Sequence, residues 1–374
     1  MITYMILYTF YSFSLICENF LSYKNRENLL KLLLIITVFF IGLRYKLGSD
    51  WLSYQTGYDL SVGIKQNNFF NEGLFYLLRD VLKMIGIKFE LWVLIITVIN
   101  FIFFKSFINN FIKQDKILFF CLFLNFYMLK DFDLLRQSMA FYICLYNLKN
   151  INSKKKYFII NLIAVLFHKT SILFSLYYFF NKVIKINKKN TIIISLLYFF
   201  TVFFKINFIK ILIKLITQIS YFKKYVYLDN LYKERFFGVN FILIFISICM
   251  LCFLKQNNYT EKITKFVYFY ILTITLTAGN IMIQLRMAYY FVFAVPLLWT
   301  AFYGQLKGNI IKIIYKILMI LYLYLSLFYL YNNLAIRLSF FPYKNYLFKN
   351  FYNEDEIIKK YNKMQELGEK IYNK

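Results

Sequence analysis

Twelve apolar runs punctuate the chain, at about 3–21, 29–43, 90–111, 117–130, 134–149, 157–168, 170–184, 191–212, 238–254, 265–283, 287–304 and 310–331. Most approach the roughly 20 residues needed to cross a hydrocarbon core about 30 Å thick. Inside lipid, backbone polar groups must be satisfied within the segment, which makes such runs helices rather than strands. The expected fold is therefore all-α and polytopic, with about 12 membrane helices in a single transmembrane domain over 1–374. Only 17% of residues are charged, and no stretch is polar enough for a separate soluble module. The formal net charge of +27 would suggest nucleic acid in a soluble protein. In a membrane protein, basic cytoplasmic loops account for it first, so no nucleic-acid partner is expected.

The stretch 157–180 admits two readings: one span, giving 11 crossings, or a hairpin of two short helices turning at His168-Lys169-Thr170-Ser171. Lysines crowd both ends, at Lys154, Lys155 and Lys156 and again at Lys182, Lys185, Lys188 and Lys189. A single crossing would leave one cluster outside, against the positive-inside rule, so the hairpin is preferred. The loops near 22–28, 112–116, 149–156, 181–190, 255–265 and 305–309 then face the cytoplasm. Both termini and the loops 44–89, 130–133, 168–171, 205–237 and 284–286 fall outside, with a polar C-terminal tail at 332–374. Segments 72–86 and 206–219 are amphipathic and suit the interface. The first run lacks a basic n-region and a cleavage site, and reads as a retained helix. Cys17, Cys121, Cys144, Cys249 and Cys252 lie inside apolar runs, without metal-ligand company.

Arginine is scarce, at 7 of 45 basic residues, and six of the seven fall outside in this topology: Arg44, Arg79, Arg136, Arg235, Arg286 and Arg337. Only Arg26 is cytoplasmic. Where positive charge suffices the chain uses lysine, so an arginine points to the planar fork that grips phosphate or carboxylate with paired hydrogen bonds. The densest polar cluster is Gly42-Leu43-Arg44-Tyr45-Lys46-Leu47-Gly48-Ser49-Asp50-Trp51-Leu52-Ser53-Tyr54. It joins a fork, a carboxylate and flat rings suited to sugars at the end of a membrane helix. An aromatic belt with a capping aspartate would use the same residue types. Asp131-Phe132-Asp133 reads as a polar helix cap beside Arg136.

The pattern G-x-R-x-x-x-G-x-D-x-x-x-Y over 42–54 resembles the EpsG family of Wzy-type polysaccharide polymerases. Glu72-Gly73 before an amphipathic helix, Leu135-Arg136-Gln137-Ser138-Met139-Ala140, Phe167-His168-Lys169-Thr170-Ser171, Arg286-Met287-Ala288-Tyr289-Tyr290-Phe291 and Pro342-Tyr343-Lys344 are similar to later family elements, in the same order. The serine after His168 comes one residue later than in the family pattern. The resemblance implies an enzyme of the bacterial cytoplasmic membrane with an extracytoplasmic active face. It would extend capsule, exopolysaccharide or O-antigen repeats carried on undecaprenyl diphosphate, and could work beside a chain-length regulator and a flippase. No cofactor is implied.

The expected diphosphate ligands are Arg44, Arg136 and Arg286, and the expected sugar platforms Trp51 and Tyr54. The expected base is Asp50 or His168, the only histidine; residue types leave that choice open. A flippase of the lipid-linked repeat would instead carry charged groups at mid-membrane depth. A ligase of the O-antigen kind would use the same residue types as a polymerase. No P-loop, dinucleotide-binding glycine pattern or metal cluster interrupts this reading.

Overall fold

All regular structure in the described part of the computed structural model, residues 1–61, 72–216 and 239–372, is helical. The helices are α1 (Ile2–Cys17), α2 (Tyr23–Gly42), α3 (Trp51–Asp59), α4 (Gly73–Met84), α5 (Phe89–Phe111), α6 (Lys116–Asp133), α7 (Leu135–Asn147), α8 (Lys154–Phe167), α9 (Leu173–Val183), α10 (Lys188–Phe203) and α11 (Phe208–Ile216). They continue as α12 (Val239–Phe253), α13 (Asn258–Leu276), α14 (Ile281–Tyr289), α15 (Ala294–Gln305), α16 (Asn309–Asn332), α17 (Leu334–Phe340) and α18 (Glu354–Tyr372). Arg235 and most of the segment 205–237 lie outside the described residues.

The chain divides into two compact units, Met1–Ser175 with Gly308–Lys370, and Leu176–Lys307 with the last four residues. Among the described residues, two helices, α5 and α16, are each long and apolar enough to cross a bilayer alone. Along α16, Ile310, Ile313, Ile317, Leu321, Leu325 and Phe328 are all more than half exposed, whereas Leu323 and Leu327 are buried. A soluble helix would turn the larger apolar stripe inward; here it faces the surroundings, as a lipid-facing surface does. α1 and α12 are shorter apolar helices.

Three of the expected runs are broken, each for a local reason. The run 191–212 splits into α10 and α11 because Lys205 takes a left-handed conformation and Asn207 caps the new helix through the Lys210 N–H. The run 265–283 ends at Leu276; Gly279 turns with φ +86°, and Asn280 then caps α14 through the Ile283 N–H. The run 287–304 is a pair, α14 and α15, bent by 47°. Pro296 in the first turn of α15 has no N–H to donate backward, so a continuous helix through 290–293 is disfavoured.

The stretch 157–180 breaks at His168, which is extended at φ −160°, ψ 124°. A short 3-10 turn over Lys169–Ile172 follows. Tyr157 donates to the Phe174 carbonyl at 2.7 Å, and the Asn161 amide donates to the Ser175 hydroxyl.

The first unit has two distinct ends. At one, Tyr4 donates to the Phe340 carbonyl, and Leu43 and Tyr45 exchange backbone hydrogen bonds with Tyr346 and Lys344. At the other, Lys116 pairs with Glu27 at 2.7 Å and Lys316 with Glu18 at 3.1 Å. α2, α6 and α16 run toward the first end, and α1 and α5 run away from it.

Candidate functional site

The signature loop begins where α2 stops. Arg44 is buried, and its guanidinium donates to the carbonyls of Ile41 at 2.7 Å and Phe132 at 3.0 Å. These are orphan carbonyls at the last turns of α2 and α6, so Arg44 ties two helix C-termini together. Burial lowers its pKa to about 10, against the opposing pull of Asp133 and Asp131. The fork expected to hold diphosphate is thus engaged with backbone.

Gly48 follows at φ +108°, where a Cβ would stand 2.4 Å from Asp133 Oδ1. Asp133 accepts from the Ser49 N–H and, at 3.0 Å, from the Ser49 hydroxyl. Asp131 accepts from Tyr142 at 2.6 Å. The expected cap beside Arg136 is therefore corrected: the N-cap of α7 is Leu134, without a side-chain cap. Its neighbouring carboxylates fasten the signature loop and α7 instead.

Asp50 is exposed at the start of α3, next to Ser49. Trp51 is buried with Tyr45 and Ile357, its ring edge-on to Tyr361 at 5.6 Å. Tyr54, one turn on, is half-buried against Phe75, with Arg136 5.9 Å from its ring centre. Arg286 belongs to the second unit, where it is exposed.

Arg136 and His168 converge on a residue not named among the expected site residues. Glu72 sits just before α4 with φ +64°, in the left-handed region that non-glycine residues seldom occupy. One carboxylate oxygen lies 2.5 Å from His168 Nδ1, and the other 2.5 Å from Arg136 Nη1. The same Nη1 donates to the Tyr76 hydroxyl at 3.1 Å. Burial works against the Glu72 charge, but His168 and Arg136 outweigh it and hold the carboxyl below its ordinary value of 4.5. An ionised Glu72 accepts a hydrogen bond from the His168 Nδ1–H, and in the neutral imidazole of that tautomer the lone pair lies on Nε2. Nε2 is buried and, among the described residues, has no hydrogen-bond partner; nor do the hydroxyls of Thr170 and Ser171 beside it. Three helix ends and a turn thus bring together a carboxylate, a guanidinium, a phenol and an imidazole whose second nitrogen is unused. Such an arrangement can accept a proton at Nε2 while presenting positive charge nearby. The signal for Glu72 was faint: one acidic residue before a glycine and an amphipathic helix, unremarkable without its partners.

A family model for the EpsG family matches residues 27–345. The chain belongs to the EpsG family. No curated protein and no solved structure matches it. The matched span of this EpsG-family chain starts inside α2 and runs through Asn345, so it covers every site residue named above.

Proposed function

We propose that the chain is a polymerase of lipid-linked polysaccharide repeats. It transfers glycan from undecaprenyl diphosphate to the terminal sugar of another lipid-linked repeat, at the outer face of the cytoplasmic membrane, within a fold of about twelve crossings. Family membership supports the reaction class, and the observation that carries the chemistry is the Glu72 carboxylate held between His168 and Arg136.

In this reading the acceptor hydroxyl oxygen attacks the anomeric carbon of the donor. The bond from that carbon to the diphosphate oxygen breaks, and its electron pair leaves with the diphosphate. His168 Nε2 takes the hydroxyl proton, with Glu72 fixing the tautomer and supporting the imidazolium, a contribution of about 100- to 10,000-fold in rate. The Arg136 side chain is 35% exposed, so part of its guanidinium stays open to the departing diphosphate. Arg44 acts by holding the signature loop. Tyr54 flanks the sugar beside Arg136. Asp50, exposed at the start of α3, is the second candidate base.

The deciding experiment is to delete the gene, analyse the lipid-linked glycans, and complement with variants. Single repeats on the outer leaflet are expected, with His168→Ala, Glu72→Gln and Arg136→Lys each failing to restore long polymer. Repeats retained on the inner leaflet would identify a flippase instead, and full-length unattached polymer a ligase.

A further inference from the structure

The signature loop borders a second feature, whose walls contain none of Glu72, Arg136 and His168. A cleft opens between this loop and the C-terminal helices, with Lys46, Gly48, Trp51, Lys344, Lys360 and Tyr361 in its walls. Three ammonium groups line it, and no carboxylate does. Lys46 has a partner in Glu354, 2.9 Å away and more than half exposed. Lys360 donates to the Phe341 carbonyl, and Lys344 stands 5.7 Å from the centre of the Tyr352 ring. Among the described residues neither of these two lysines makes an ion pair. Burial first, and then the charge of Lys344, press the pKa of Lys360 down to about 8. Burial lowers Lys344 as well, with Lys46 adding to the effect and Glu356 opposing it.

Like charges gathered in a partly dry cleft are costly unless a counter-charge arrives. A chain that merely needed solubility would spread its lysines over water. Here the lysines come from three places in the sequence, and the fold brings them together: Tyr45 N–H bonds the Lys344 carbonyl, and Ile357 packs on Tyr45 and Trp51. We propose that this cleft is an anion subsite that takes a phosphate or diphosphate group, gripped by Lys46, Lys344 and Lys360 beside the packed rings of Trp51 and Tyr361. Lys344 and Lys360, with Lys46 shared with Glu354, suit a group carrying two or more negative charges better than a single carboxylate. The group could come from a second lipid-linked diphosphate, a source that rests on the polymerase reading, or from an anionic phospholipid. The phosphate chemistry holds for either.

The test is a binding measurement on the full-length protein in phosphatidylcholine nanodiscs, with inorganic diphosphate followed by phosphorus NMR. Saturable binding is expected, weakened about 10-fold or more by Lys344→Gln and by Lys360→Gln, and unchanged by Lys24→Gln at the start of α2. Lys360→Gln also removes the contact to Phe341 and could loosen the tail. Lys344→Gln, which loses a ring contact and an attraction to Glu356 but no hydrogen bond to the tail, is therefore the deciding variant. If phosphatidylglycerol in the nanodisc displaces diphosphate, and its effect depends on the same lysines, the source is the phospholipid. If it does not compete, the source is a soluble or lipid-linked diphosphate. Absence of saturable binding, or binding indifferent to Lys344→Gln, overturns the proposal. Since no turnover is measured, a failed polymerase reading would leave this result standing.

Discussion

Glu72 carries the site through one ionised group, and its titration makes the arrangement testable. Its folded pKa lies below 4.5, so its stabilising contribution is full above the unfolded carboxylate range and is lost as pH falls through the lower folded value. The thermal-stability advantage of wild type over Glu72→Gln should persist from neutral pH down to about 4.5, and should shrink only below that. An advantage already gone at about pH 6 would contradict the ionised clamp. Gly48 gives a second test at the same scale. With φ +108° and Asp133 in the way, Gly48→Ala should cost about 1–3 kcal/mol in unfolding measurements. Gly57→Ala, inside α3 with only Arg79 Nη1 at 4.0 Å, should be neutral or stabilising by up to about 1 kcal/mol. The sequence exposed Arg136 and His168, one as a scarce arginine and the other as the only histidine. Glu72 carries no such mark, because a carboxylate acquires its role only from what a distant segment brings to it. Arg44 shows the converse. Its rarity pointed to a ligand, yet two helix ends supply carbonyls that satisfy the same donors.

At the scale of elements, the C-terminal tail is a structural part of the signature loop. Glu354 accepts from the Tyr45 hydroxyl at 2.7 Å and pairs with Lys46, while Ile357 and Tyr361 cover Trp51. Burial of large apolar side chains of this kind contributes about 1.5–3 kcal/mol each. A stop codon at Glu354 should thus leave the helices folded but shift Trp51 fluorescence to the red, with Trp92 and Trp299 replaced by Phe as background. An unshifted spectrum would mean the tail does not cover the loop. Polar composition suggested only an outlying tail here, since the apolar residues of α18 are few and widely spaced. The turn at His168 was legible because lysines at both ends made a single span electrostatically awkward. The break before Pro296 was overlooked because hydropathy alone is blind to a missing N–H.

For the molecule as a whole, the question is which face the site occupies, and the first unit makes it answerable. Its two ends differ in chemistry. The Glu72 cluster, the signature loop and the tail meet at one end. Toward the other, α7 and α8 are joined by a turn flanked by Lys149, Lys154, Lys155 and Lys156, and Lys24 and Arg26 begin α2. Short basic loops stay in the cytoplasm because moving lysine across the membrane against the potential is unfavourable. On the proposed function, the end bearing Glu72 is expected to face outward. In a background with all five cysteines replaced by alanine, Lys169→Cys and Asn350→Cys should react with an impermeant thiol reagent on intact cells, and Lys24→Cys only after permeabilisation. The reverse pattern would put the His168 base on the cytoplasmic side, beside nucleotide sugars, and the acceptor would then have to be a different molecule. Reaction of Lys169→Cys and Asn350→Cys from opposite sides would separate the imidazole from the signature loop across the bilayer. No single active site could then include both.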